Sequence, residues 1–238
     1  MTETLNNPAG RLHCALSRFE DARPGVRVLQ AWQNSLEVDS AGEVHSRLAA
    51  LGGQIAELER ALTVRYPNQL PAFDRYREAM ASPILGLNTP LTASTAAPAV
   101  DPHTLDWLSS TSELLATGAA RTVPAPDERQ TLRDQFVAAS EAVRTDESLP
   151  PELRLHLLTL VEQALWALDR VEIVGADAVM AVVDQMVVAG ARLPKESSAR
   201  GPLTKAVRLA WSLIEKTVVV NDLVQILSDM PQFPEIGA

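Results

Sequence analysis

Residues 149–191 read LPPELRLHLLTLVEQALWALDRVEIVGADAVMAVVDQMVVAGA and are apolar on more than one side of a helix. A surface helix needs only one apolar stripe, so this density predicts a pair of helices buried among others, hinged near Val174-Gly175. The valines of residues 171–188 also suit a β-strand. However, Val179, Met186 and Gly190 keep helical spacing and no partner strand is apparent elsewhere, which favours helix.

Helix-start signals and apolar spacings extend the helical pattern toward the N-terminus. Asn7-Pro8 and Asp101-Pro102 each combine a capping residue with proline at the first helical position. Between them lies a heptad seam that ends before Pro67 and consists of Val44, Leu48, Leu51, Ile55, Leu58 and Leu62. The seam spans fewer than three heptads and contains Gly52, which favours a contact within one chain over a dimer zipper.

Prolines divide the chain into two predicted helical units. Residues 82–102 contain four prolines among Thr, Ser and Ala, a composition typical of a linker. We therefore expect an N-terminal helical unit at 1–81, a Pro/Ala/Thr-rich linker at 82–102 and a C-terminal helical bundle at 103–238. The predicted fold class is all-α, a bundle of about eight or nine helices.

The last predicted helix opens at Pro202 and carries the candidate partner-binding residues, which are Val207, Trp211, Ile214 and Val218. Its polar side includes Lys205 and Arg208, so the pattern fits a partner groove or a membrane surface. Acidic residues on the same helix weaken the membrane interpretation. The alternative is that this stripe closes the bundle within the chain.

Composition narrows the classes of partner. The net charge of −9 argues against a nucleic-acid partner, because phosphate binding requires a positive field. A single cysteine, Cys14, excludes an intramolecular disulfide, and the N-terminus shows no signal-peptide pattern, so we expect a cytoplasmic protein.

The sequence offers little catalytic chemistry. Glu152 and His156 are one residue too far apart for the Glu-x-x-His motif of di-iron bundles, and the spacing occurs once. His13 adjoins Cys14, but consecutive helical residues point about 100° apart and cannot form a nucleophile–base pair. No phosphate-binding loop, dinucleotide fingerprint or HExxH motif is present. We therefore predict no catalytic residue, no cofactor and no metal ligand.

One resemblance accompanies these patterns. The segment Leu149-Pro150-Pro151-Glu152-Leu153-Arg154, followed by Ile173-Val174-Gly175-Ala176-Asp177-Ala178, resembles a segment of uncharacterised bacterial all-helical proteins. It covers less than a fifth of the chain and carries no catalytic residue. The resemblance implies an accessory role in a mobile-element or defence locus.

Together these features predict a non-enzymatic protein that acts through helical surfaces, on a protein partner or by self-association. Two alternatives remain at this point. One is a reversible membrane-surface protein that uses residues 202–230, and the other is an enzyme whose site is dispersed along the chain and leaves no local motif.

Overall fold

The protein is all-α, as predicted. The computed structural model describes residues 6–86, 97–116, 121 and 123–214, and these contain ten α-helices and no strand. The tenth helix beyond the expected eight or nine is a single turn inside the apolar block. The helices are α1 (Pro8–Ala22), α2 (Val28–Leu36), α3 (Ala41–Arg65), α4 (Leu70–Leu85), α5 (Pro102–Leu115), α6 (Pro126–Thr145), α7 (Pro151–Asp169), α8 (Val171–Val174), α9 (Ala176–Gly190) and α10 (Arg200–Ile214).

Local sequence signals determine several of these boundaries. The Asn7 side chain accepts a hydrogen bond from the Gly10 N–H and Pro8 follows it, while Asp101 does the same for the His103 N–H ahead of α5. These contacts satisfy backbone donors that a helix leaves free in its first turn. The Val-rich segment is helical, and the predicted hinge is the single residue Gly175 between α8 and α9, with φ +85°.

The described residues form two compact units. The first contains residues up to 116 together with 172–175, and the second contains 121–171 and 176–214. The predicted division differs, because it assigned α5 to the C-terminal unit. In the structure α5 packs on α1, where the Asn7 side-chain amide donates to the Ser112 carbonyl at 3.1 Å. The Tyr66 hydroxyl donates to the Leu114 carbonyl at 3.1 Å and ties the end of α5 to α3.

The heptad seam of α3 is buried within the first unit, where α3 packs on α1, α2 and α4. All six of its apolar residues are in the core, as the intramolecular interpretation predicted. Trp32 stacks on Phe19 with ring centroids 4.4 Å apart, and its indole N–H donates to the Pro83 carbonyl at 2.9 Å. The core of this unit is therefore built around α1 and α3, against which α2, α4 and α5 pack.

The predicted linker is partly helical and partly packed. Helix α4 continues through Pro83 to Leu85, beyond the expected start of the linker at residue 82, because Pro83 and Ile84 are buried against the core. Farther on, the Ala97 N–H donates to the Val26 carbonyl at 3.2 Å and the Val100 N–H donates to Glu20 at 2.8 Å. Residues 87–96 of the predicted linker lie outside the described residues.

A four-residue segment from much later in the chain completes the first unit. Ile173 is buried in its core, and Glu172 forms an ion pair with Arg18 at 3.0 Å. A Cβ added at Gly175 would lie 2.3 Å from Nη1 of Arg11. The first unit is consequently not a continuous stretch of sequence.

The second unit is a four-helix bundle in which α6 packs on α7, α7 on α9, α9 on α10, and α10 back on α6. Consecutive helices are neighbours joined by short connections, the arrangement of an up-and-down bundle. The inward face of α6 consists of fully buried residues, which are Leu132, Phe136, Ala139 and Val143. This closed ring of helices determines which faces remain available on the surface.

Candidate protein-interaction surface

The residues predicted to bind a partner lie in the interior of the second unit. Val207, Trp211 and Ile214 are buried, with Trp211 only 8% exposed, because α10 turns its apolar stripe toward α6 and α9. Val218 lies outside the described residues. This placement agrees with the alternative that α10 closes the bundle within the chain. A surface for a partner must be sought on other helix faces.

Asp146, just after α6, is the most heavily hydrogen-bonded carboxylate in the second unit. It accepts hydrogen bonds from the Ser148 hydroxyl at 2.6 Å, the Ser197 hydroxyl at 2.6 Å and the Ala199 N–H at 3.1 Å. Bonds from Ser148 and Ser197 hold the pKa of Asp146 well below its ordinary range. Ser197 and Ala199 are both buried, and Asp146 holds the start of α10 through them.

A second polar cluster lies in the first unit around the buried side chain of Arg11. Its Nε donates to Gln54 at 2.7 Å, and its two terminal nitrogens reach Asn6 at 3.1 Å and Glu57 at 3.4 Å. These partners satisfy the guanidinium, which would otherwise be costly to bury. The burial of the Arg11 charge, like that of the Asp146 carboxylate, is explained by hydrogen bonds within the fold.

The side chains considered for catalysis are not brought together. Burial lowers the pKa of His13, and Glu152 and His156 are both exposed on α7. Cys14 is half-buried, and the His45 ring contacts the Ala41 carbonyl of its own helix at 2.6 Å. Within the part of the chain that the structure describes, no three His, Cys, Asp or Glu side chains are grouped so that they could hold a metal ion.

The outer face of α7 carries the clearest unassigned feature. Leu155 is 68% exposed and Trp166 is 45% exposed, although both belong to the apolar block that sequence analysis expected to be buried. Eleven residues make just over three helical turns, so the two side chains lie on one stripe about 16 Å apart. Thr159 and Glu162 lie between them, at helical spacing and also exposed. We call these four residues the α7 stripe.

Helix α6 adds an exposed apolar residue near the Trp166 end of the α7 stripe. Arg133 of α6 forms an ion pair with Asp169 of α7, which places these two helices side by side near Trp166. One turn further along α6 is Val137, which is also exposed. On the other side, the guanidinium of Arg170 lies 4.9 Å from the centre of the Trp166 ring. Trp166 is therefore held in place by its neighbours while much of its surface remains in contact with solvent.

The charges beside the α7 stripe differ along its length, with Arg133 and Arg170 near Trp166 and carboxylates toward the middle and the Leu155 end. Glu162 lies between Leu155 and Trp166, and Glu152 precedes Leu155 by three residues, so both carboxylates are on or beside the stripe. Both are exposed. The face thus combines two separated apolar anchors with negative charge between them and at the Leu155 end.

Sequence reasoning missed Leu155 and Trp166 because it treated the whole apolar block as interior. Both residues lie on the side of α7 opposite the positions that the packing buries, which are Leu157, Leu160, Val161, Ala164 and Leu168.

Comparison with known proteins adds no relative, since no family model, curated protein or solved structure matches the chain. The resemblance of residues 149–191 to bacterial helical proteins stays a prediction. Among the described residues, no helix is both long enough and apolar enough to cross a membrane.

Proposed function

We propose that the protein is a non-enzymatic interaction protein that binds a helix of another protein on the α7 stripe. The observation that carries this proposal is the exposure of Leu155 and Trp166 on one face of α7, while the opposite face of the same helix is buried. Scattered single exposed apolar residues are ordinary, but aligned ones that include a tryptophan are typical of contact surfaces.

The α7 stripe also indicates the chemistry of the partner. A partner helix would present two apolar side chains about three turns apart, matching the separation of Leu155 and Trp166. Basic side chains between and beside them would complement Glu162 and Glu152. We therefore infer a basic amphipathic helix as the occupant.

A second copy of this chain fits the surface less well. A two-fold axis through the centre of the stripe would pair Leu155 with Trp166 of the other copy. The same axis would bring Glu152 opposite Asp169, whose carboxylate already pairs with Arg133, so Glu152 would gain no free basic partner. Basic side chains on a different protein would complement this carboxylate, which favours a different protein as the partner.

The membrane and dispersed-site alternatives receive no specific support from the described residues. The apolar side chains of α10 that would enter a lipid surface are buried between α6 and α9. The buried ionic groups Arg11 and Asp146 are accounted for by structural hydrogen bonds.

A photo-crosslinking experiment tests the proposal. A benzophenone amino acid at Thr159, in the middle of the stripe, should trap the partner in extracts of the native host. The captured protein should then be purified and its affinity measured. Trp166→Ala should weaken binding about 30-fold, since truncating a central interface tryptophan costs about 2 kcal/mol. Helicity should not change.

Val64→Ala provides the matched control, because Val64 is also an exposed apolar residue but lies on α3 in the first unit. Binding by this variant should equal that of the unmodified chain. A partner that binds both variants equally well would contradict the assignment of the α7 stripe. Crosslinks that join only copies of this chain would show self-association and contradict the inferred partner.

A further inference from the structure

Among the residues that the structure describes, four exposed basic side chains of the second unit have no carboxylate within ion-pair distance, and all four lie within residues 192–208. They are Arg192, Lys195, Lys205 and Arg208. The other described arginines of this unit are engaged. Three form ion pairs, two donate to carbonyls, Arg170 stacks on Trp166, and Arg129 also has a contact. The free positive charge of the unit is therefore concentrated in one region.

Two of the four lie on the outer stripe of α10. The exposed positions of this helix are Gly201, Lys205, Arg208 and Ser212, at spacings of four, three and four residues. Lys205 and Arg208 are therefore neighbours on one face, with no acidic residue on that stripe. The opposite side of the helix is the buried stripe of Val207, Trp211 and Ile214, so the bundle fixes the direction in which both cations point.

The other two lie in the connection between α9 and α10, and hydrogen bonds hold this connection against the start of α10. A terminal nitrogen of Arg200 donates to the Leu193 carbonyl at 2.6 Å. Asp146 accepts from the Ser197 hydroxyl and the Ala199 N–H. Arg192 and Lys195 are consequently positioned by a fixed backbone, which lowers the entropy lost when they engage a ligand.

The local charge is opposite to that of the molecule. Residues 192–214 contain five basic residues and one acidic residue, Glu196, in a chain of net charge −9. A group of unpaired like charges raises the local potential and attracts ligands of the opposite sign. Nothing in the α7 stripe explains this group, because α7 and α10 occupy opposite positions in the ring of four helices.

We propose that Arg192, Lys195, Lys205 and Arg208 form a basic face that binds an acidic segment of a partner protein. Carboxylates spaced along an extended or helical segment can pair with the two cations of the α10 stripe and then reach the connection. The proposal is independent of the α7 stripe, which favours a basic partner. The protein would then join two partners of opposite charge.

Other polyanions fit this face less well. Specific nucleic-acid binders commonly contact six or more phosphates, more than four cations supply, and the net negative charge of the chain opposes a long polyanion. Stable attachment to anionic lipid usually combines basic residues with an apolar anchor. Here the apolar side of the same helix is buried in the bundle.

Fluorescence anisotropy with the full chain tests the proposal, using a labelled oligoglutamate peptide as the probe at low and at moderate ionic strength. The peptide should bind and the affinity should fall as salt rises. The double variant Lys205→Glu with Arg208→Glu should bind about tenfold more weakly, because both stripe cations are reversed.

The matched control is Arg60→Glu with Arg65→Glu, which changes the net charge by the same amount. Both arginines are exposed on α3 and neither has an ion pair within the described residues. This variant should bind the peptide within about twofold of the unmodified chain. Equal weakening by the two double variants would mean that only net charge matters and would overturn the proposal.

Three further outcomes would also overturn it. They are an absence of oligoglutamate binding at low salt, tighter binding to an oligothymidine strand, and tighter binding to phosphatidylserine vesicles. Light scattering on the same samples tests whether a second copy of this chain occupies the basic face. Self-association that the Lys205→Glu and Arg208→Glu changes abolish would identify a second copy rather than a separate acidic protein.

Discussion

Gly175 shows how one residue can be required by two independent constraints. Its φ of +85° lies in the region that L-amino acids avoid, and an added Cβ would lie 2.3 Å from the Arg11 guanidinium. Arg11 cannot move away cheaply, because it is buried and hydrogen-bonded to Gln54 and Asn6. Gly175→Ala should therefore lower the free energy of unfolding by about 2 kcal/mol, measured by urea denaturation.

Gly53 supplies the comparison for that measurement. It lies in α3 with no atom within 4 Å of an added Cβ. Gly53→Ala should raise the free energy of unfolding by about 0.5–1 kcal/mol through helix propensity alone. A Gly175→Ala variant as stable as Gly53→Ala would contradict the role given to the contact with Arg11.

Asp146 makes the stability of the folded protein depend on pH. The pKa of this carboxyl is lowered in the folded protein by hydrogen bonds from Ser148 and Ser197. A group with a lowered pKa stabilises the fold above its ordinary pKa and loses that contribution as pH falls toward the folded value. Asp146→Asn should reduce the Tm by several degrees at neutral pH, and the difference should shrink below about pH 4.

Thermal denaturation followed by circular dichroism across this pH range checks the expectation. Glu147→Gln is the control, because Glu147 is the exposed neighbour of Asp146. Its Tm should follow that of the unmodified chain at every pH. A pH-independent loss in Asp146→Asn would show that the carboxylate charge is not the stabilising feature.

At the level of whole helices, the bundle makes two tryptophans energetically different. Trp211 of α10 is 8% exposed and Trp166 of α7 is 45% exposed. Trp211→Ala should destabilise the second unit by about 3–5 kcal/mol, since it removes a large buried side chain and leaves a cavity. Trp166→Ala should cost less than about 1 kcal/mol. Chemical denaturation of the two variants measures both values.

This pair also separates packing from binding. Trp166→Ala should remain folded and lose the partner, whereas Trp211→Ala should lose helicity at lower denaturant concentration. Similar destabilisation by the two substitutions would mean that the outer face of α7 is covered in solution.

At the level of the molecule, the chain does not complete its first unit until residue 175. Ile173 lies in sequence between α7 and α9, yet it is buried in the core of the first unit. Ile173→Ala should lower the stability of that unit by about 2–4 kcal/mol. Hydrogen exchange should accelerate in α1 and α3 and change little in α6 and α10.

Val188→Ala is the matched control, because Val188 is an exposed aliphatic residue on α9, the helix that follows Ile173 in the chain. In this variant, the free energies of opening obtained from hydrogen exchange should stay within about 0.5 kcal/mol of those of the unmodified chain in both units. Acceleration in α6 and α10 after the Ile173 substitution would contradict the assignment of residues 172–175 to the first unit.

The sequence by itself determined the helical class, the caps at Asn7 and Asp101, the hinge at Gly175 and the seam of α3. Each depends on residues close together in the chain, whose hydrogen bonds and periodicity act locally. Only the tertiary structure decided that α5 joins the first unit, that Ile173 fills its core, and that Trp211 is interior while Trp166 is exposed. These outcomes depend on which apolar faces meet across long sequence separations. Tryptophan at helical spacing looks the same in sequence whether its face meets another helix or water.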